Sequence, residues 1–136
     1  DDKIEVITFD EPKVYEVVPE EMDLDIVYED DFLLIINKPA GLTVHPGVGN
    51  YSGTLSNGLA HYLGSEIIHD QRHPFLVHRI DKNTSGLLVV AKDEESTRKL
   101  SKQFREHTVT RKYNALVWGS FEEDSGTIRG NITARR

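Results

Sequence analysis

A mixed-sheet fold, α/β or α+β, follows from three features of the sequence. Strand-like and helix-like stretches are interleaved along the chain. The connections between them are short. Gly, Pro, Asn and Asp cluster between the periodic segments rather than inside them. With 136 residues the chain holds about one domain.

Taken in order, residues 1–24 mix acids with Pro12, Pro19 and brief apolar alternation (Ile4, Val6, Val14, Val17), which reads as an acidic, weakly packed linker or edge strand. The texture changes at Asp25. Residues 25–29 and 32–37 are strand-like, and Asp30-Asp31 between them suits a tight hairpin turn. Lys38-Pro39-Ala40-Gly41 ends the second strand, and residues 42–53 form a loop rich in Gly and Pro. Leu55, Leu59, Tyr62 and Leu63 carry helical spacing, with Thr54 placed to cap them. A polar loop covers residues 64–74. The run 87–91 predicts a strand buried on both faces.

Asp93 next reads as an N-cap, with Glu94 and Glu95 in the first turn, where the helix dipole favours acids. Thr97, Leu100 and Phe104 give the apolar stripe of that helix, and Lys99, Lys102 and Arg105 lie toward its other side. Residues 109–118 alternate as a strand, and a last strand is predicted over 127–132 after a polar turn. No closing element follows, so the chain reads as a fragment.

The totals exclude several classes. Cysteine is absent, which removes disulfide frameworks and thiolate metal sites. No apolar run is long enough to cross a bilayer, and no leader peptide opens the sequence, so a cytoplasmic location without membrane attachment is expected. Three glycosylation sequons, at Asn50, Asn83 and Asn131, carry little weight without an export signal. The net charge of −7 is unevenly spread. Residues 1–31 hold 13 acids and two bases, whereas residues 72–112 hold ten bases and five acids. A basic central segment behind a solvated acidic arm is compatible with a polyanionic partner.

That basic segment contains the unusual stretch VHRIDKNTSGLLVVAK, residues 77–92. Asp81 stands beside Arg79 and Lys82, between two apolar runs. A carboxylate held in a positive field at the lip of a sheet can serve as nucleophile or base. The same residue can also tie off its own turn as an Asx motif, and local sequence leaves the two readings even. Arg79 reads as a surface ion pair or as a planar donor and wedge against a base stack. Tyr113 reads as strand packing or as a stacking platform, and Arg111 and Lys112 beside it suit phosphates. Thr84, Ser85 and Gly86 suit a tight turn behind Asp81. His69, His73 and His78 lack helical spacing and a completing acid, so no metal is expected. Gly47 and Gly49 supply turns rather than a phosphate cradle. A hydrolase using paired carboxylates would need a partner for Asp81. The nearest, Asp70 and Asp93, fall in a polar loop and at a helix cap.

The sequence HRIDKNTSGLLVVAK closely resembles the H-R-L/I-D-x-x-T-S-G-L-L signature of the RluA/RluD family of pseudouridine synthases. INKPAGLTVHPG, SGTLSNGLAHYL, RKYNALVWG and GTIRGNITARR resemble other blocks of that family, in the same order, across residues 25–136. The resemblance implies an α+β fold with a mixed, largely antiparallel sheet flanked by helices. It implies an isomerase that converts specific uridines of structured RNA to pseudouridine, with large-subunit ribosomal RNA as the expected target. No cofactor and no metal are implied. Asp81 then matches the essential aspartate, as nucleophile or as the base of a glycal route. Tyr113 matches the tyrosine that stacks on the uracil. Arg79 matches the arginine that fills the space of the flipped nucleotide, and His78, Thr84, Arg111 and Lys112 are the other residues expected to meet RNA.

The family's later L-x-T-G-R-x-H-Q-I-R-V-H block is not in this sequence. Residues 25–136 are therefore expected to be the N-terminal part of a catalytic domain, and residues 1–24 the acidic linker and tail of a preceding RNA-binding domain. Such a piece is expected to be inactive alone, to expose apolar sheet, and to be able to self-associate. A non-catalytic RNA-binding remnant of the same fold is the alternative.

Overall fold

The structure is a computed structural model that describes residues 17–64 and 76–130. Five regular elements follow one another: β1 (Ile26–Glu29), β2 (Leu33–Lys38), α1 (Leu55–Leu63), β3 (Gly86–Ala91) and α2 (Glu94–Arg105). The three strands form one antiparallel sheet in the order β1-β2-β3, so β2 is central and the arrangement is α+β.

The β1–β2 hairpin turns where the acidic pair predicts it. The Asp30 carboxylate accepts from the backbone amides of Phe32 (2.8 Å) and Leu33 (2.9 Å), which fixes the turn without glycine. Between β2 and β3 the register pairs Leu34 with Val90, Ile36 with Leu88 and Lys38 with Gly86. Side chains alternate across a strand, so these six positions share one face. Leu34, Ile36, Leu88 and Val90 are buried there with Leu55 and Leu59 of α1, Val44 and Ile80. That cluster is the core.

Helix α1 begins where expected, but its cap works in reverse. The backbone amide of Thr54 donates to Asn57 Oδ1 (3.0 Å), and the Thr54 hydroxyl donates to the same oxygen. The Asn57 amide then reaches the Val18 carbonyl (2.9 Å), and Glu20 N donates to Asn57 O (3.0 Å). Residues 17–24 are thus held against α1, with Val17 buried, and pack more closely than the weakly packed linker read from the sequence. Gly58 makes this approach possible. A Cβ built there would lie 2.8 Å from Met22 Sδ and 2.9 Å from Met22 Cβ. Gly58→Ala is expected to cost roughly 1–3 kcal/mol through overpacking, despite alanine's better helix propensity. Thermal unfolding of Gly58→Ala, with and without Met22→Ala, checks this: the second substitution should restore the loss.

Helix α2 is capped as predicted. Asp93 Oδ1 accepts from Ser96 N (2.8 Å) and Oδ2 from the Ser96 hydroxyl (2.7 Å). These bonds and the nearby Lys99 hold the Asp93 carboxyl below its usual range. The helix ends with Thr108 N donating to Gln103 O (3.1 Å) and His107 in the left-handed region at φ 55°. The chain reverses there.

Three expectations fail. The run 87–91 is only partly buried on its second face: Leu88 and Val90 face the core, while on the other side Ala91 is buried, Val89 half-buried and Leu87 62 % exposed. Residues 109–118 do not form a strand. Among the described residues they pair with no neighbour, and a segment without a ladder leaves its amides to water. Residues 127–130 are irregular and exposed for the same reason, and the rest of that predicted strand lies outside the described residues. Exposed Leu116, Trp118, Phe121 and Ile128 follow from this lack of partners. No helix among the described residues is long and apolar enough to cross a membrane.

Candidate active site

The segment 77–86 leads into β3 and carries the candidate chemistry. Ile80 is buried and joins the core, whereas Arg79 and Asp81 on either side of it are exposed. One apolar anchor between two solvated charged residues therefore sets the direction of both. Asp81 does close a turn, but through its backbone: its carbonyl accepts from Thr84 N (3.1 Å). Among the described residues its carboxylate makes no hydrogen bond and no salt bridge, so Arg79 and Lys82 do not neutralise it by direct contact. Of the two local readings, the Asx motif is absent.

The turn is held from behind by a residue that sequence reasoning passed over as a strand terminator. Lys38 is fully buried at the end of β2. Its ammonium donates to the carbonyls of Pro39 (2.8 Å), Leu42 (2.8 Å) and Lys82 (3.1 Å). Gly41 N donates to the same Lys82 carbonyl (2.8 Å). The KPAG turn is thus bonded to the carbonyl of Lys82, the residue after Asp81. Burial pushes the Lys38 pKa down, and three carbonyl dipoles receive its protons. The signal in the sequence is the lysine itself: at the end of an apolar strand it shares the core face of Leu34 and Ile36 and needs internal acceptors there.

In front of the turn lies a cavity of about 680 Å³. It is lined by Ile80, Asn83, Thr84 and Gly86 of the turn, Leu87 and Val89 of β3, Phe104 of α2 and residues 109–114. It brings together His78, Thr84, Arg111, Lys112 and Tyr113 from the predicted set. Arg79 and Asp81 belong to the loop at its lip and do not line it. Tyr113 is 63 % exposed, so its ring is not core packing. Gly86, at φ 132°, occupies backbone space that other residues rarely enter and lets the chain pass from turn to strand.

His78 lines the cavity and is also bonded within the protein. Its Nε2 accepts from Val89 N (2.9 Å), its ring stacks on Phe104 with centroids 4.3 Å apart, and Nδ1 is buried without a partner. The acceptor role of Nε2 puts the proton of the neutral ring on Nδ1. The ring therefore ties the loop to the open edge of β3. Burial, and secondarily Arg111, push the His78 pKa below 6.5. A depressed imidazole pKa favours the fold while the ring is neutral. That contribution is full above pH 6.5 and drains as pH falls toward the lowered folded value. Unfolding measured between about pH 7.5 and about pH 5.5 should show a loss of stability in the wild type that is smaller in His78→Gln. Asp30 and Asp93, whose pKa values are lowered from 3.8, lose their contributions only at more acid pH.

Among the described residues no group of three or more His, Asp or Glu side chains is placed to hold a metal. His69, His73 and Asp70 lie outside the described residues.

The model of the family described as RNA pseudouridylate synthase matches residues 32–136. The chain is 50 % identical over 127 residues to "Uncharacterized RNA pseudouridine synthase YlyB" of Bacillus subtilis (strain 168), covering 93 % of this chain and 42 % of that protein. It is 44 % identical over 129 residues to "Uncharacterized RNA pseudouridine synthase" of Chlorobaculum parvum, covering 93 % and 39 %. It is 48 % identical over 103 residues to "Ribosomal large subunit pseudouridine synthase D" of Zymomonas mobilis, covering 74 % and 32 %. The chain thus spans less than half the length of each of these relatives. With the family model covering most of its residues, and the HRID turn standing at the mouth of a cavity, the chain belongs to the RNA pseudouridylate synthase family.

Proposed function

We propose that the protein containing this chain isomerises uridine to pseudouridine within structured RNA, that ribosomal RNA of the large subunit is its target, and that Asp81 carries the chemistry without a cofactor. One observation carries the assignment of Asp81. It is an exposed carboxylate, without a partner among the described residues, on a turn held through the Asp81 and Lys82 carbonyls, beside a cavity lined by Tyr113, Arg111 and Lys112. The family membership and the relatives named for large-subunit action support the substrate class.

The reaction is a rearrangement with no net change in atoms. The bond from the sugar's anomeric carbon to uracil N1 breaks, the base turns, a bond forms from that carbon to uracil C5, and the C5 proton is lost while N1 gains one. Asp81 acts at the sugar, as nucleophile or as base. A base inside a helix is out of reach, so the nucleotide leaves its stack first. Arg79, exposed beside Asp81, fills the vacated space, and Tyr113 stacks on the detached base and keeps it from escaping. Arg111 and Lys112 hold phosphates, Thr84 fixes the turn through its backbone, and His78 holds the loop to β3. Incubating the whole protein with ribosomal RNA and mapping pseudouridine tests the proposal. New sites should appear. RNA left unmodified by an intact, RNA-binding protein would favour the non-catalytic reading.

A further inference from the structure

Helix α2 carries a charged face that the site described above does not use. None of its residues is fully buried. Thr97, Leu100 and Phe104 turn inward, while Arg98, Lys102 and Arg105 are exposed. Their i, i+4, i+7 spacing places them on one line along the helix, about 6 Å and about 4.5 Å apart on its axis. The acids near that line are few: Glu95, close to Arg98, is bound to Lys99 (2.7 Å), and Glu94 sits in the first turn. Arg98 and Arg105 form no salt bridge among the described residues, and Lys102 stands 3.9 Å from the Glu106 carboxylate, beyond hydrogen-bond length.

The line also leads somewhere. Phe104, next to Arg105, lines the cavity, and the chain reversal at His107 brings Arg111 and Lys112 back to that same cavity. Three cations on the exposed face of α2 are therefore followed, after the reversal, by two at the cavity wall. In a protein of charge −7, with its acids concentrated in residues 1–31, this series is set apart from them in sequence.

We infer that Arg98, Lys102 and Arg105 are a phosphate-binding track for the RNA strand that flanks the modified nucleotide. The inference rests on RNA being the partner of this site. The track supplies affinity and register without touching the reacting base, as backbone contacts do. Its loss should weaken RNA binding and leave the chemical step alone.

The test uses the whole protein with all three residues changed, Arg98→Gln, Lys102→Gln and Arg105→Gln, and a second variant with Arg98→Lys and Arg105→Lys. All are exposed, so folding is expected to be unaffected, which a thermal scan confirms before binding is measured. Each phosphate contact to a single strand contributes about 0.7 to the slope of log affinity against log salt, so the triple variant should lower the slope by roughly 2. Its affinity should fall roughly tenfold or more at low salt, with the single-turnover rate at saturating RNA within about twofold of wild type. The lysine variant should keep the wild-type slope. A triple variant with wild-type slope and affinity overturns the inference even if pseudouridine is formed. Weakened binding by the triple variant, in a protein that forms no pseudouridine, would uphold the track and sink the enzymatic reading instead.

Discussion

Lys38→Met should unfold at markedly lower temperature than the wild type and should slow the reaction in the molecules that remain folded. The side chain is buried in full, so methionine keeps most of its volume and removes the ammonium. The carbonyls of Pro39 and Leu42 then lose their donor, while the Lys82 carbonyl keeps Gly41 N. A buried acceptor left unpaired costs about 1–3 kcal/mol. Relief from burying the ammonium offsets part of this, and a net loss of about 2–4 kcal/mol is expected. The effect on rate has a separate cause. Lys38 fixes the carbonyl of Lys82, the residue after Asp81, and a displacement of about 1 Å at a reacting group can cost roughly a hundredfold in rate. Denaturant unfolding measures the first effect, and single-turnover kinetics below the unfolding transition measure the second. A variant with wild-type stability would show that the three bonds contribute little.

Asp81→Asn should have the opposite profile: unchanged stability and no reaction. The carboxylate is exposed and bonds to nothing among the described residues, so removing its charge should move stability by no more than about 0.5 kcal/mol. The turn persists because it is closed by the Asp81 carbonyl, which asparagine retains. An amide, however, is neither an effective nucleophile nor a base at neutral pH. The rate should fall by roughly a thousandfold or more, with RNA affinity little altered. A structural role for Asp81 would reverse both outcomes, with lower stability and retained turnover.

Where a local pattern had a local partner, the sequence was a reliable guide. Asp30 closes the hairpin with its own carboxylate, Asp93 caps α2, and the spacing of Leu55 and Leu59 marks α1. The candidate site was legible to the extent that it is a turn. Asp81 and Thr84 do close one, and Gly86 takes the backbone that glycine allows. What escaped depends on contacts distant in sequence. Asn57 reaches Val18, Lys38 reaches Lys82, and His78 reaches Val89, and none of these pairs shares a local pattern. His78, expected from the resemblance to meet RNA, lines the cavity while its ring also holds strand to loop. The stretch 109–118 erred the other way. Its alternation is genuine, but a strand exists only with a neighbour, and among the described residues it has none.

The proposal that Asp81 is the group that opens the glycosidic bond is tested most directly by label release. RNA carrying tritium at carbon 5 of uridine loses that label to water only when the base has been detached and rejoined through that carbon. With the whole protein in excess over RNA, the wild type is expected to release the label, and Asp81→Asn to release none above background while retaining the RNA on a filter equally well. Release by Asp81→Asn at a rate near the wild type would contradict the account.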